Sequence, residues 1–228
     1  IRQDQFPNTM SNFSNRFVSY VPGFKSTWSV ITDNLSNNIV FSNSGIPPYN
    51  PNDAYGGVIT YNFETNEIAV YDTSNGNLDG IDDTYYLVVN QIKKDNHGNF
   101  WIVNPNATHT NNIISIKSND ASEWAHVPAP DNFSYLPQEF AFGPNRTIWI
   151  GFQYFQNYSD GGIKILSYGE IFDEFDDEWF SISNSSEYID QSLSVWSIVF
   201  SEVEGQQICW VLTSEGLQGY IVNNYNLL

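Results

Sequence analysis

The sequence predicts an all-β fold assembled from repeated four-stranded antiparallel units, and three observations predict it. The 228 residues are 41% hydrophobic and 16% aromatic, with ten Pro and fifteen Gly, the composition of many short strands joined by tight turns. No stretch sustains a 3.6-residue apolar period, so helices are expected to be nearly absent. Most tellingly, the chain repeats itself four times.

Each repeat begins with an apolar strand that runs into a polar turn, then a second strand. The four turns and second strands are Ile31–Phe41, Ile92–Ile102, Phe142–Ile150 and Phe200–Val211. Asp, Asn and Gly populate the turns because they tolerate tight backbone angles. The second strands carry Phe41, Trp101, Trp149 and Trp210 at what reads as one position, where a large ring would fill the wedge between neighbouring sheets. After a loop come Gly56-Gly57, Asn111-Asn112, Gly161-Gly162 or Gly216, and a third strand. A fourth strand is expected at Glu67–Tyr71, Glu123–Val127 and Glu178–Ile182. Phe17–Val21, ahead of Pro22-Gly23, reads as the fourth strand of a unit whose beginning is missing.

Four-stranded units in succession, each with a wedge-filling aromatic, describe a β-propeller with about four blades. The aromatics stand 60, 48 and 61 residues apart (41 to 101, 101 to 149, 149 to 210). Blades commonly repeat at roughly 40–50 residues, and loops absorb the excess cheaply. The expected division is a single propeller region over 1–228: an outer strand in 1–24, blades at 25–72, 85–128 and 137–183, and a partial blade at 193–223. Two arrangements stay open: the leading strand closes a four-bladed ring, or the chain is an excerpt of a larger propeller.

The segment Val89-Asn-Gln-Ile-Lys-Lys-Asp-Asn-His-Gly-Asn-Phe-Trp-Ile102, with the later Gly161-Gly162-Ile163, resembles the two-component-regulator propeller repeat. The succession of blades is similar to extracytoplasmic propellers of Bacteroidetes-type bacteria, some of which belong to the type IX secretion apparatus. The resemblance spans roughly residues 17–222. It implies a periplasmic, cell-surface or secreted location and a part in sensing or secretion. The first unit departs from the pattern by lacking the Trp, and the fourth by carrying Glu202-Val-Glu-Gly205 in its turn.

Composition excludes several function classes. With 8 basic against 26 acidic residues and a net charge of −18, the chain cannot supply the cations that nucleic-acid binding needs. No apolar run is long enough to insert in a membrane as a helix. The single cysteine, Cys209, lies in an apolar run and reads as a core residue. Asn75, Asn77 and Asp79 place oxygens at alternate positions like the start of a calcium loop, but Tyr86 stands where the bidentate Glu belongs, so a turn is the expected role and no cofactor is expected. His97, His109 and His126 have no metal-binding spacing. The acidic run Asp173–Glu178 reads as a solvated loop, and Ser118–Trp124 is an imperfect Asp-box, itself a structural turn.

The ligand surface is expected on the face where long loops join second to third strands: Asn43–Tyr55, Asn104–Thr110 and Gln153–Asp160. Tyr49, Tyr55, His109, Tyr154, Phe155 and Tyr158 are the candidate contacts, suited to a glycan or protein partner. The function expected is non-enzymatic recognition or scaffolding, alone or within a larger assembly. The alternative is a propeller-type lyase or glycosidase acting at the channel mouth.

Overall fold

The computed structural model describes residues 27–33, 36–43, 56–81, 86–105, 112–118, 121–130, 136–171, 173, 176–181 and 190–222. Their strands form four antiparallel sheets, each a meander in chain order. Sheet 1 holds β1 (Val30–Asp33), β2 (Asn38–Asn43), β3 (Gly57–Asn62) and β4 (Ile68–Tyr71). Sheet 2 holds β5 (Gln91–Lys94), β6 (Phe100–Val103), β7 (Ile114–Lys117) and β8 (Ala125–Val127). Sheet 3 holds β9 (Pro137–Gly143), β10 (Thr147–Phe152), β11 (Gly162–Ser167) and β12 (Glu178–Ser181). Sheet 4 has three strands among the described residues: β13 (Val195–Val203), β14 (Gln206–Thr213) and β15 (Gly216–Ile221). Phe17–Val21 lies outside the described residues, and no α-helix occurs within them.

Successive sheets meet at their first strands. β5 lies against β1 and β2, β9 against β5 and β6, and β13 against β9 and β10. First strands that neighbour one another surround a common axis, and the fold is therefore a β-propeller. Polar links tie these inner strands together. Ser29 Oγ donates to the Ile92 carbonyl at 3.2 Å and accepts from its N–H at 3.2 Å. Lys94 pairs with buried Asp33, and Lys93 pairs with Glu139 and donates to the Phe140 carbonyl. Charges this enclosed persist only when matched.

Three apolar wedges hold the sheets together. Val40 and Val58 meet Ile92, Phe100, Ile102 and Trp124 between sheets 1 and 2. Trp101, Val103 and Ile116 meet Phe140, Ile148, Ile150 and Leu166 between sheets 2 and 3. Trp149, Ile163 and Ile165 meet Val195, Ile198, Cys209 and Val211 between sheets 3 and 4. Turn chemistry aims the Trp101 ring: the Asp95 carboxylate accepts from the His97 N–H at 2.8 Å, the Asn99 N–H at 2.9 Å and Trp101 Nε1 at 2.9 Å. The Gly pairs allow close chain crossings. A Cβ on Gly161 would stand 2.0 Å from the Leu193 carbonyl oxygen. One on Gly56, at φ +95°, would stand 1.8 Å from that of Leu87.

The register corrects one expectation. Trp101 pairs with Lys93 and Ile116, and Trp149 with Ala141 and Ile165. The residue with the equivalent partners in sheet 1 is Val40, opposite Ile31 and Thr60. Phe41 is one residue further on and therefore on the other face, packed with Ile59, Tyr61, Ile68 and Val70. An offset of one residue in a strand exchanges faces.

Candidate functional site

Of the three long loops, the one between β10 and β11 lies wholly in the described residues. Tyr49, Tyr55 and His109 lie outside them. Tyr154, Phe155 and Tyr158 occupy a tight, well-bonded tip. The Phe155 N–H donates to the Ser159 carbonyl at 2.9 Å, and the Ser159 and Tyr158 N–H groups both donate to the Phe155 carbonyl at 2.9 Å. Asn157 supplies the left-handed residue, φ 64°, that the turn requires, a conformation Asn tolerates. The loop is anchored on the connection to sheet 4. The Tyr154 N–H donates to Ser194 Oγ at 3.0 Å, and those of Gly161 and Gly162 donate to the Gln191 and Leu193 carbonyls at 2.7 and 2.9 Å.

The three rings are exposed, Phe155 most of all at 59%, although they stand on this fixed backbone. Phe155 and Tyr158 pack edge to face, 6.1 Å between centroids. On β11, burial pushes the Lys164 ammonium's pKa down, with the Asp160 carboxylate acting in the opposite direction. The tip therefore offers exposed aromatic faces on a fixed backbone.

The other singled-out residues are engaged in the fold. Asn75 accepts from the Asp72 N–H at 3.0 Å and donates to the Val70 carbonyl at 2.8 Å. Asn77, at φ 55°, donates to the Trp124 carbonyl at 3.0 Å. Asp79 accepts from Asn112 Nδ2 at 2.7 Å and lies 3.8 Å from His126 Nε2. Burial lowers the His126 pKa, and Asp79 partly opposes it. This segment ties sheet 1 to sheet 2 as a turn. His97 lies in the β5–β6 turn and His126 on β8, so these two histidines do not converge. Within the acidic run, Asp176 accepts from the N–H groups of Gly169 and Glu170 at 3.0 and 2.8 Å and closes a loop.

A second feature was not anticipated from the sequence. A cavity of about 290 Å³ lies between sheets 1 and 2, with Val40, Thr60, Tyr71, Phe100, Lys117 and Trp124 in its wall. The sequence carried no local signal for it: Lys117 follows Ser115 on the polar phase of β7, the face that an alternating strand leaves to solvent.

The fold is that of known propellers. The chain is similar to PorZ, described as an essential bacterial surface component of the type-IX secretion system of Porphyromonas gingivalis, at 14% identity and a TM-score of 0.62. The match covers 86% of this chain and 24% of PorZ, so the chain spans about a quarter of that protein's length. It also matches an alpha-L-arabinofuranosidase of Clostridium thermocellum at 11% identity and a TM-score of 0.45, over 88% of this chain and 74% of the enzyme. No protein-family model matches the sequence, and no curated protein does.

Proposed function

We propose that this chain is a recognition or scaffold segment of an extracytoplasmic propeller, without catalytic activity, and that it contacts a glycan or protein partner through the Tyr154–Tyr158 tip. The observation that carries this reading is the tip's combination of exposed rings and fixed backbone. Large rings already held in place bind at low entropic cost, because little freedom is lost on contact. The sequence resemblance to sensor and secretion-associated propellers supports an extracytoplasmic setting, as does the surface location stated for PorZ. No helix of the described residues is long and apolar enough to cross a membrane.

Glycoside hydrolysis draws on a carboxyl group whose pKa is raised so that it can donate a proton. Among the described residues, the two carboxylates with displaced titration, Asp95 and Asp190, are displaced downward. Asp95 is lowered by hydrogen bonds from Trp101, Asn99 and His97, against opposing burial, and Asp190 by those from Ser192. That is the behaviour of hydrogen-bond acceptors that shape turns.

The test is a glycan array together with photo-crosslinking from position 156, exposed and not among the substituted residues, in the native host. The triple variant Tyr154→Ser, Phe155→Ser, Tyr158→Ser is expected to lose the signal of either assay while its melting temperature stays unchanged. Binding that survives all three substitutions sinks the assignment.

A further inference from the structure

The shape of the tip narrows what it can meet. Five successive residues, Tyr154 to Tyr158, are exposed, while Phe152 before them and Ser159 after them are buried. The chain leaves β10, turns back where Phe155 and Ser159 pair in a single bridge, and re-enters the sheet at Gly162. A turn closed this tightly on its own backbone is a convex knob. Small-molecule sites are concave and surround most of their ligand. A knob buries its surface by entering a cleft in something larger.

The rings point the same way. Phe155 and Tyr158 stand at 90° to each other. Perpendicular rings form a compact wedge, not the shared flat face along which a sugar chain lays its C–H groups. Phe155, the most exposed of the three, has no polar atom on its ring to answer a hydroxyl. Such a ring suits an apolar pocket, and aromatic side chains are enriched where proteins meet. Charge describes the rim of that pocket. From Thr147 to Ile163 the sequence holds no Lys or Arg. Asp160, beside the tip, and Asp190, next to the Gln191 carbonyl that the Gly161 N–H bonds, are both exposed. Lys164, which interacts with Asp160, is 8% exposed and shows little charge at the surface.

We infer that the partner of the tip is a protein, and that it receives Phe155 in an apolar pocket rimmed by Lys and Arg. This inference rests on the tip being the contact surface, as proposed above, and narrows two partner classes to one. Five residues are far fewer than the ~20–30 a side of a standard interface, so the tip is the anchor of a weak, fast contact. Opposite charge on the two sides steers the approach, and salt slows it.

The experiment is photo-crosslinking of the full chain from position 156 in the native host and its extract, with the joined peptides sequenced by mass spectrometry, beside a glycan array. The adduct is expected to be a peptide of one partner, an apolar segment flanked by Lys or Arg. Its yield is expected to fall about tenfold from low to molar salt. Phe155→Ala is expected to lose the adduct about tenfold or more. Phe155→Leu is expected to recover most of that loss, because a pocket takes an apolar knob of similar size whereas stacking on a sugar needs the ring. A captured protein therefore counts in favour only together with the Phe155→Leu recovery. A glycan adduct, array binding by the native chain, or a protein adduct that Phe155→Leu loses as fully as Phe155→Ala overturns the inference and leaves the tip as the contact surface. An adduct that survives Tyr154→Ser, Phe155→Ser, Tyr158→Ser removes the tip itself, and absence of any adduct or array signal overturns both.

Discussion

Sheets 3 and 4 present the same pattern to the next position around the ring and meet different surroundings. Trp149 on sheet 3 is 4% exposed, covered by sheet 4 and packed edge to face on Phe200 at 5.3 Å. Trp210 occupies the same place on sheet 4, is 38% exposed, and lies against Gly219, where Trp149 has Ile165. Trp196, Val199, Leu212 and Leu217 of sheet 4 are exposed with it. Strand pattern decides which residues share a face, whereas burial depends on what stands opposite. Identical side chains at equivalent positions therefore carry very different energies.

The thiol of Cys209 gives the largest contrast, because it lies on the inner face of the strand whose outer face carries Trp210. Burial pushes its pKa up to about 12. Against the usual thiol this lowers the thiolate population by about a thousandfold, so native Cys209 is expected to resist a thiol reagent at pH 8. A Trp210→Cys, Cys209→Ser protein is expected to react quickly under the same conditions. Equal labelling rates contradict the assigned faces.

Truncating the two tryptophans sharpens the comparison. Trp149→Ala is expected to cost about 3–5 kcal/mol in urea unfolding, since it empties a closed wedge. Trp210→Ala is expected to cost about 1 kcal/mol or less. The glycines follow the same logic with smaller numbers. Gly161→Ala drives a methyl into the Leu193 carbonyl and is expected to cost about 1–3 kcal/mol. Gly219→Ala meets only the Trp210 ring, which can swing outward, and is expected to stay within about 0.5 kcal/mol.

A further small effect concerns pH. Hydrogen bonds from Trp101, Asn99 and His97, working against burial, lower the Asp95 pKa in the folded state. A lowered acid stabilises the fold above its unfolded value, about 4, and loses that contribution as pH falls through the folded value. Asp95 is partly open to solvent, so the contribution is about 1 kcal/mol or less. Asp95→Asn is expected to be slightly destabilised at pH 7, with the difference from wild type shrinking in acid. A constant difference from pH 7 to pH 3 separates the loss from ionisation.

Much of the fold was legible because it rests on local chemistry. The turn at Asp95–Asn99 announces its hairpin through a carboxylate that can gather several donors, and Gly161-Gly162 announces a close crossing. Phe41 was misread because matching ring to ring ignores register: a ring is conspicuous in a sequence, but the face it occupies depends on where the hairpin starts to pair. The candidate tip was legible in part, since a long aromatic loop on a regular scaffold is visible in the chain. Its hydrogen bonds to Ser194, Gln191 and Leu193 join residues about 30 to 40 positions apart and leave no local mark.

The sequence by itself determined the all-β class, the four repeats, the turns and the acidic charge, because strand periodicity and turn chemistry act over a few neighbouring residues. Only the tertiary structure decided that Val40 stands in a tryptophan's place, that Lys117 and Trp124 face it from another sheet, and that Trp210 is exposed while Trp149 is buried. Those outcomes depend on pairing register and on which sheet lies opposite, and both are set by contacts between residues far apart in the chain.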